Sequence, residues 1–212
     1  MDRIILTIGR QFGSGGRITG KKLAEALDIS FYDKELITLA ARESGLCKEV
    51  FEKADERTSG GLLHAFPIGM PYIGGIYTPY ADILSNEGLF KIQSDVIRKL
   101  AETESCVIVG RCADYILRDN PDCISFFIHD KLANRIQRIV ERQQLTVEQA
   151  KELIAKTDKS RAAYYDYYTN KTWGMSSSYN LSIDASALGI DETVRFMKNF
   201  IERKQANERV ES

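Results

Sequence analysis

The sequence predicts an α/β fold, a parallel β-sheet covered by helices on both faces, and three observations carry that prediction. Short apolar runs, Arg3-Ile4-Ile5-Leu6-Thr7-Ile8, Cys106-Val107-Ile108-Val109 and Cys123-Ile124-Ser125-Phe126-Phe127-Ile128, are too uniformly apolar for strands with one wet face. Segments of helical periodicity separate them, as the crossovers of a parallel sheet require. The first run leads straight into Gly9-Arg10-Gln11-Phe12-Gly13-Ser14-Gly15-Gly16-Arg17 and then a helical pattern, so strand, glycine-rich turn and helix follow one another. With 212 residues, 43% of them hydrophobic, the chain suits one such core with insertions.

The first helix is expected over Ile18 to Leu27, with Leu23, Ala26 and Leu27 turned to the sheet. Asp28-Ile29-Ser30 then leads to a short strand, Phe31-Tyr32, closed by Asp33. Lys34 to Lys53 reads as helix on Leu36, Ile37, Leu39 and Ala40, and the pattern dissolves at Thr58-Ser59-Gly60-Gly61. Residues 59–80 combine Pro67, Pro71 and Pro79 with Gly69, Gly74, Gly75 and four aromatics. That is too many breakers for regular structure and too apolar for a solvated linker, so this segment is expected to cover something. A helix follows from Glu87 to Thr103, on Leu89, Phe90, Val96, Ile97 and Leu100, and then the buried strand Cys106 to Val109, ending at Gly110-Arg111. The next strand begins soon after Pro121, with helices at about 131–142, 146–156 and 158–168 beyond it. A last strand, Tyr179 to Ile183, precedes a C-terminal helix from Asp191, and neither internal repeat nor low-complexity tract interrupts the pattern.

A formal net charge of −1 gives no field to recruit nucleic acid or an anionic membrane, which points to a small ligand met by local Arg and Lys clusters. The longest apolar stretches are strand-sized and the N-terminus lacks the apolar core and cleavage site of a signal peptide, so a cytoplasmic protein is expected. Cys47, Cys106, Cys112 and Cys123 form no C-x-x-C pair. Neither a zinc site nor a disulfide framework is favoured, and Cys106 and Cys123 read as small buried hydrophobes.

Glycines without Cβ let consecutive backbone N–H groups converge, and the positive end of the following helix adds to their attraction for an anion. The expected ligand of Gly13, Ser14, Gly15, Gly16 and Arg17 is therefore a phosphorylated nucleotide. The P-loop signature G-x-x-x-x-G-K-[ST] is broken, because Gly15 is followed by Gly16 and Arg17 where Lys and Ser/Thr would stand. Arg17 can offer a planar fork in place of the lysine, and Arg10 is a second candidate. The hydroxyl that ordinarily helps to hold Mg²⁺ is missing too, with Thr19 two residues late, which leaves the metal ligands open.

Ligands of parallel α/β sheets bind at the carboxyl ends of the strands, which gives weight to Asp33, Arg111 and the pair His129-Asp130. Asp33 suits Mg²⁺, an acceptor hydroxyl or a ribose hydroxyl, with a helix N-cap as the plain alternative. Arg111 suits an anionic substrate, with a surface ion pair as the alternative, and Asp114 stands three residues on as its partner. Arg135, Arg138 and Arg142 share one helical face, either solvated or closing over phosphates. Lys156-Thr157-Asp158-Lys159-Ser160-Arg161 follows, with Asp158 and Arg161 on one face, the composition of a basic helical lid that screens a transferring phosphoryl group. Tyr164, Tyr165, Tyr167 and Tyr168 read as packing residues, and His64 and His129 as structural.

These residues resemble the cytidylate kinase-like family, relatives of bacterial cytidylate kinase among the P-loop nucleoside monophosphate kinases. The resemblance spans nearly the whole chain through Ile8 to Arg17, Phe31-Tyr32-Asp33-Lys34-Glu35-Leu36, Val109-Gly110-Arg111, Thr157 to Tyr165 and Trp173-Gly174. It implies a three-layer P-loop kinase fold with a five-stranded parallel sheet, a helical substrate-binding insertion and a lid. The single domain would have its core at 1–33, 104–139 and 175–205, the insertion at about 34–103 and the lid at about 140–174. ATP with Mg²⁺ would be the donor, and CMP or dCMP the acceptor. Gly13 to Arg17 would hold the donor phosphates, Arg111 looks like the arginine of the family's G-R-D motif, and Asp158 with Arg161 looks like its lid D-x-x-R. Arg17, Asp33 and Arg161 are the catalytic candidates, and Asp33, Arg111, Asp158 and Arg161 the substrate-binding ones.

Cytidylate kinases carry Lys at Gly16, an acidic residue at Val109 and Asp at Cys112. Those departures motivate a second reading, a nucleotide-binding regulator or pseudokinase without transfer. A dinucleotide-dependent oxidoreductase gains from Asp33 beyond a glycine loop but loses on spacing, because G-x-G-x-x-G from Gly13 needs glycine where Ile18 stands.

Overall fold

The computed structural model describes residues 3–33 and 86–211. The expected helix from Lys34, the segment 59–80, Cys47 and His64 lie outside the described residues. The chain divides into two units, residues 1–34 with 98–212, and residues 35–97. Of the second unit, the described part is helical, the start of a helix running Asn86–Thr103.

The first unit is built on five strands: β1 (Ile5–Arg10), β2 (Ser30–Tyr32), β3 (Cys106–Val109), β4 (Cys123–His129) and β5 (Leu181–Asp184). All pair in parallel, in the order β2-β3-β1-β4-β5. The helices are α1 (Gly16–Leu27), α2 (Asn86–Thr103), α3 (Ala113–Ile116), α4 (Leu132–Gln143), α5 (Val147–Thr169) and α6 (Ala185–Glu211). The first strand sits at the centre, where both faces must be dry, and Ile5, Leu6 and Ile8 are accordingly buried.

On one face Leu6, Ile8, Val107, Val109, Phe126 and Ile128 meet Leu23 and Ala24 of α1 and Val194, Met197 and Ile201 of α6. Phe126 lies edge-on to Phe200 at 5.9 Å between ring centroids. On the other face Ile108 and Phe127 are buried and α3 supplies Ala113 and Ile116. A satellite cluster, Ile139, Ala150 and Ile154 with Phe12 packed against it, joins α4, α5 and the glycine loop.

Three boundaries differ from the sequence expectation. The first helix begins at Gly16, two residues early, because Gly15 adopts a left-handed conformation (φ 85°) and sets the first turn there. A single helix, α5, replaces the two expected between residues 146 and 168. Its start is fixed by a capping box, the Thr146 hydroxyl accepting from Gln149 N–H at 3.2 Å and the Gln149 side chain accepting from Thr146 N–H at 2.9 Å. Asp158, at the start of the second expected helix, lies inside α5 and directs its carboxylate outside the helix, to Phe12 and Arg135. Finally, β5 begins at Leu181, and α6 follows it directly; Gly189 (φ 74°, ψ 171°) breaks α6 just before the expected start at Asp191.

Candidate functional site

The site is assembled at the carboxyl ends of the strands, beginning with the loop after β1. Gln11 N–H still bonds to the Ile128 carbonyl at 3.0 Å, so the chain leaves the sheet only at Phe12. Gly13 (φ 80°) and Gly15 (φ 85°) then turn it into α1. A Cβ on Gly13 would also stand 2.9 Å from the Arg135 carbonyl oxygen. The first helical bond runs from Thr19 N–H to the Gly15 carbonyl at 2.9 Å, which leaves the N–H groups of the first turn without intrahelical acceptors. The Thr19 hydroxyl donates to the same carbonyl at 3.2 Å and is thus used inside the helix. The Gly16 N–H is held by Ser14 Oγ at 3.3 Å, and the remaining amides at the positive end of the helix suit an anion.

The carbonyls of this loop are held from behind by arginines. Arg135, buried, donates from Nε to the Phe12 carbonyl at 2.8 Å and pairs through Nη2 with Asp158. Asp158 Oδ1 in turn accepts the Phe12 N–H at 2.8 Å. Arg138 donates to the Gly13 carbonyl at 3.0 Å and pairs with the buried Asp130, which Asn134 also holds at 2.9 Å. Arg161 donates to the Arg10 carbonyl at 3.0 Å and lies 5.4 Å over the Phe12 ring, and Arg142 lies 5.6 Å over the same ring. Burial pulls the Arg161 pKa down from its usual value, against the upward pull of Asp158.

Two further strand ends border the loop. At the end of β2 the buried Asp33 accepts from Arg17 Nε at 2.7 Å and pairs with its Nη2 at 2.5 Å, joining α1 to β2. At the end of β3 the chain holds left-handed conformations at Gly110 (φ 85°), Arg111 (φ 58°) and Cys112 (φ 55°). Such a conformation is costly for the two residues with side chains and is characteristic of functional sites. The Arg111 guanidinium lies 5.8 Å over the Tyr164 ring of α5. Asp114 does not pair with Arg111 in the way the spacing suggests; it accepts the Tyr165 hydroxyl at 2.7 Å. Burial raises the Asp114 carboxyl pKa, and raises that of Tyr165 as well, with Asp114 adding to the second shift.

Arg10, the last residue of β1, lies across the mouth of the loop. A Cβ on Gly16 would stand 2.6 Å from Arg10 Cβ and 3.1 Å from its Cγ. A Cβ on Gly110 would collide with Arg10 Nη1 and stand 3.0 Å from Cζ. The side chain therefore passes over the start of α1 and ends above the carboxyl end of β3.

The structure thus brings Gly13 to Arg17, Asp33 and Arg111 to the strand ends, and sets Asp158 and Arg161 against the back of the loop. Of the four tyrosines expected to pack, Tyr165 stands 6.1 Å from Tyr179 and Tyr164 4.7 Å from Tyr168, whereas Tyr167 is 67% exposed and meets Tyr168 edge-on at 4.9 Å. His129 lines a cleft of about 420 Å³ with Gln11, Phe127, Trp173, Gly174, Ser176 and Ser182. Arg135 and Arg138 as holders of loop carbonyls are what the sequence left unresolved; their three-residue spacing was the available signal. Burial pushes the thiols of Cys106, Cys112 and Cys123 up to about 12, in keeping with small hydrophobes.

Among the described residues, no group of three or more His, Cys, Asp or Glu is placed to hold a metal ion. Asp33 is engaged by Arg17 and the Thr19 hydroxyl by Gly15, so these residues do not fit a protein-held Mg²⁺. No helix of the described residues is long and apolar enough to cross a membrane.

A five-stranded parallel sheet in this order, with a glycine loop between its central strand and the first helix, defines the fold of the P-loop kinases. The similarities to solved structures agree. A gluconokinase from Sinorhizobium meliloti 1021 superposes with a TM-score of 0.58 at 14% identity, covering 99% of this chain and 97% of that one. Shikimate kinase from Bacteroides thetaiotaomicron gives 0.53 at 16%, covering 94% and 98%. The chain belongs to the cytidylate kinase-like family, which matches residues 5–187. An uncharacterized protein from Eubacterium ventriosum ATCC 27560 is 32% identical, with a TM-score of 0.69 and coverage of 94% and 99%. No curated protein matches the sequence significantly.

Proposed function

We propose that this protein transfers the γ-phosphoryl group of ATP to a nucleoside monophosphate of the CMP or dCMP kind. The observation that carries the reading is the loop itself: Arg135 and Arg138 hold its Phe12 and Gly13 carbonyls, Ser14 Oγ accepts the Gly16 N–H at 3.3 Å, and the amides of Arg17 and Ile18 at the positive end of α1 have no acceptor within the helix. Family membership supports nucleotide-dependent kinase chemistry. In this reading Gly13, Ser14, Gly15, Gly16 and Arg17 hold the donor phosphates, and Arg111, on the neighbouring strand end, meets the acceptor phosphate. Arg17, Asp33 and Arg161 are the catalytic candidates. Asp33, Asp158 and Arg161 complete the acceptor side, Asp158 and Arg161 doing so from positions that also brace the loop.

An oxygen of the acceptor phosphate forms the new bond to the γ-phosphorus, and the bond to the bridging oxygen breaks with its electron pair left on ADP. A dianionic acceptor phosphate needs no proton removed. The protein's work is positioning and charge stabilisation. Mg²⁺ would enter with the nucleotide, on phosphate oxygens and water.

A coupled assay of ADP release across CMP, dCMP, UMP, AMP and a panel of small alcohols tests the proposal. Acceptor-dependent turnover strongest with CMP or dCMP is the expected result. Tight ATP binding without acceptor-dependent turnover would favour the pseudokinase reading, which the bare Gly16 and the engaged Asp33 also support.

A further inference from the structure

We infer that Arg10 supplies the cation that a P-loop ordinarily takes from lysine, delivered from the strand before the loop instead of the helix after it. The inference rests on the reading of the loop as a donor-phosphate site. Gly16 occupies the lysine position and is the first residue of α1. Its φ is not in the left-handed region, so its backbone does not ask for glycine. What asks for it is Arg10, whose Cβ and Cγ fill the space that the first carbons of a side chain at position 16 would need, at 2.6 and 3.1 Å.

The same side chain explains the space over Gly110. Gly110 is left-handed (φ 85°), and its missing Cβ also leaves room for the arginine head, with Cζ 3.0 Å from where that Cβ would be. In the sheet Ile8 pairs with Val109, so Gly9, still within β1, stands beside Gly110, the first residue after β3. The Arg10 stem therefore lies against the start of α1 and its guanidinium against Gly110, at the strand end that carries Arg111. That is the boundary between the proposed donor and acceptor phosphates, where negative charge must be screened during transfer. Arg161 anchors the Arg10 backbone by its carbonyl at 3.0 Å, so the side chain leaves from a fixed point.

A reciprocal exchange tests this. Binding of a non-hydrolysable ATP analogue with Mg²⁺, and turnover with the best acceptor, are measured for the wild type, Arg10→Ala, Arg10→Lys, Gly16→Lys and the double variant Arg10→Ala/Gly16→Lys. Thermal melting is followed in parallel, and Arg10→Gln, which keeps most of the stem, replaces the alanine variant if that one melts early. Arg10→Ala should lower kcat about 100-fold or more and weaken the analogue about 10-fold, with Arg10→Lys intermediate. Gly16→Lys alone should be impaired, because its stem meets that of Arg10. The double variant should outperform either single variant about 10-fold, an ammonium now reaching the vacated place. Arg10→Ala within threefold of wild type in both readouts, Gly16→Lys indistinguishable from wild type, or a double variant no better than the singles would each overturn the inference. Wild-type protein that binds the analogue but transfers nothing would overturn the kinase reading alone, and the binding arm still decides Arg10. Wild-type protein that binds no nucleotide would overturn both.

Discussion

Replacing Asp158 separates two roles for one carboxylate, a ligand of the acceptor and a brace for the loop. Its Oδ1 accepts the Phe12 N–H at 2.8 Å and its Oδ2 pairs with Arg135, and the two side chains are only 17% and 7% exposed. Removing one member of such a buried pair leaves the other charge uncompensated, at about 3–5 kcal/mol. Arg135 keeps the Phe12 carbonyl at 2.8 Å, so the lower end, about 3 kcal/mol, is expected for Asp158→Ala. For a chain of this size that is a fall of about 6–12 °C in Tm. Asp158→Asn keeps an acceptor for Phe12 but not the charge and should lie between wild type and alanine. The apolar double replacement Arg135→Met/Asp158→Leu should recover most of the lost stability, because no buried charge is left alone. It should not recover nucleotide affinity, because Phe12 has lost its anchors. Thermal and urea unfolding with parallel nucleotide titration provide the measurements. A loss below about 1 kcal/mol in Asp158→Ala, the worth of an exposed pair, together with a raised acceptor KM, would refute the bracing role.

Other consequences are as direct. Arg111→Ala should raise the KM for a phosphorylated acceptor about tenfold or more with little change in ATP affinity, since a charge-assisted contact is worth about 1.5–3 kcal/mol; steady-state kinetics with each substrate varied will read it. For Asp114, burial holds the folded carboxyl above its ordinary 3.8, so across that window the folded protein keeps a proton that the unfolded chain has released. Stability should therefore fall as pH rises from the ordinary value through the raised one. Asp114→Asn, whose amide oxygen still accepts the Tyr165 hydroxyl, should flatten that slope in urea midpoints taken from about pH 4 to about pH 8.

The centre of the sheet was readable because β1 and β3 are buried on both faces, and short continuous apolar runs such as Cys106 to Val109 suit such strands; the edge strands β2 and β5 are only half-buried. The strand ends were readable for the same reason: once a run ends, the residues after it stand at the carboxyl edge of the sheet, as Asp33 and Arg111 do. Helix boundaries were less legible where a polar residue serves a distant partner. A helix was expected to begin at 158, yet the Asp158 carboxylate bonds to Phe12, 146 residues away, and the helix runs straight through it. Charges three and four apart read alike whether solvated or pinned, so Arg135 and Arg138 became interpretable only when their acceptors, two backbone carbonyls, were in place. A carbonyl leaves no mark on a residue pattern. Gly16 likewise marked a missing lysine, while its cause lies in the course of Arg10.

The clamped loop also bears on how binding free energy is divided. A glycine-rich segment free in the empty protein would lose its backbone freedom when a phosphate arrives, at about 1–2 kcal/mol for each residue fixed. Here the Phe12 and Gly13 carbonyls are already tied to α4, so that ordering is completed during folding. If the proposed site holds, a phosphate arriving at Gly13 to Arg17 would meet a loop already ordered, and more of its contact energy would survive as affinity.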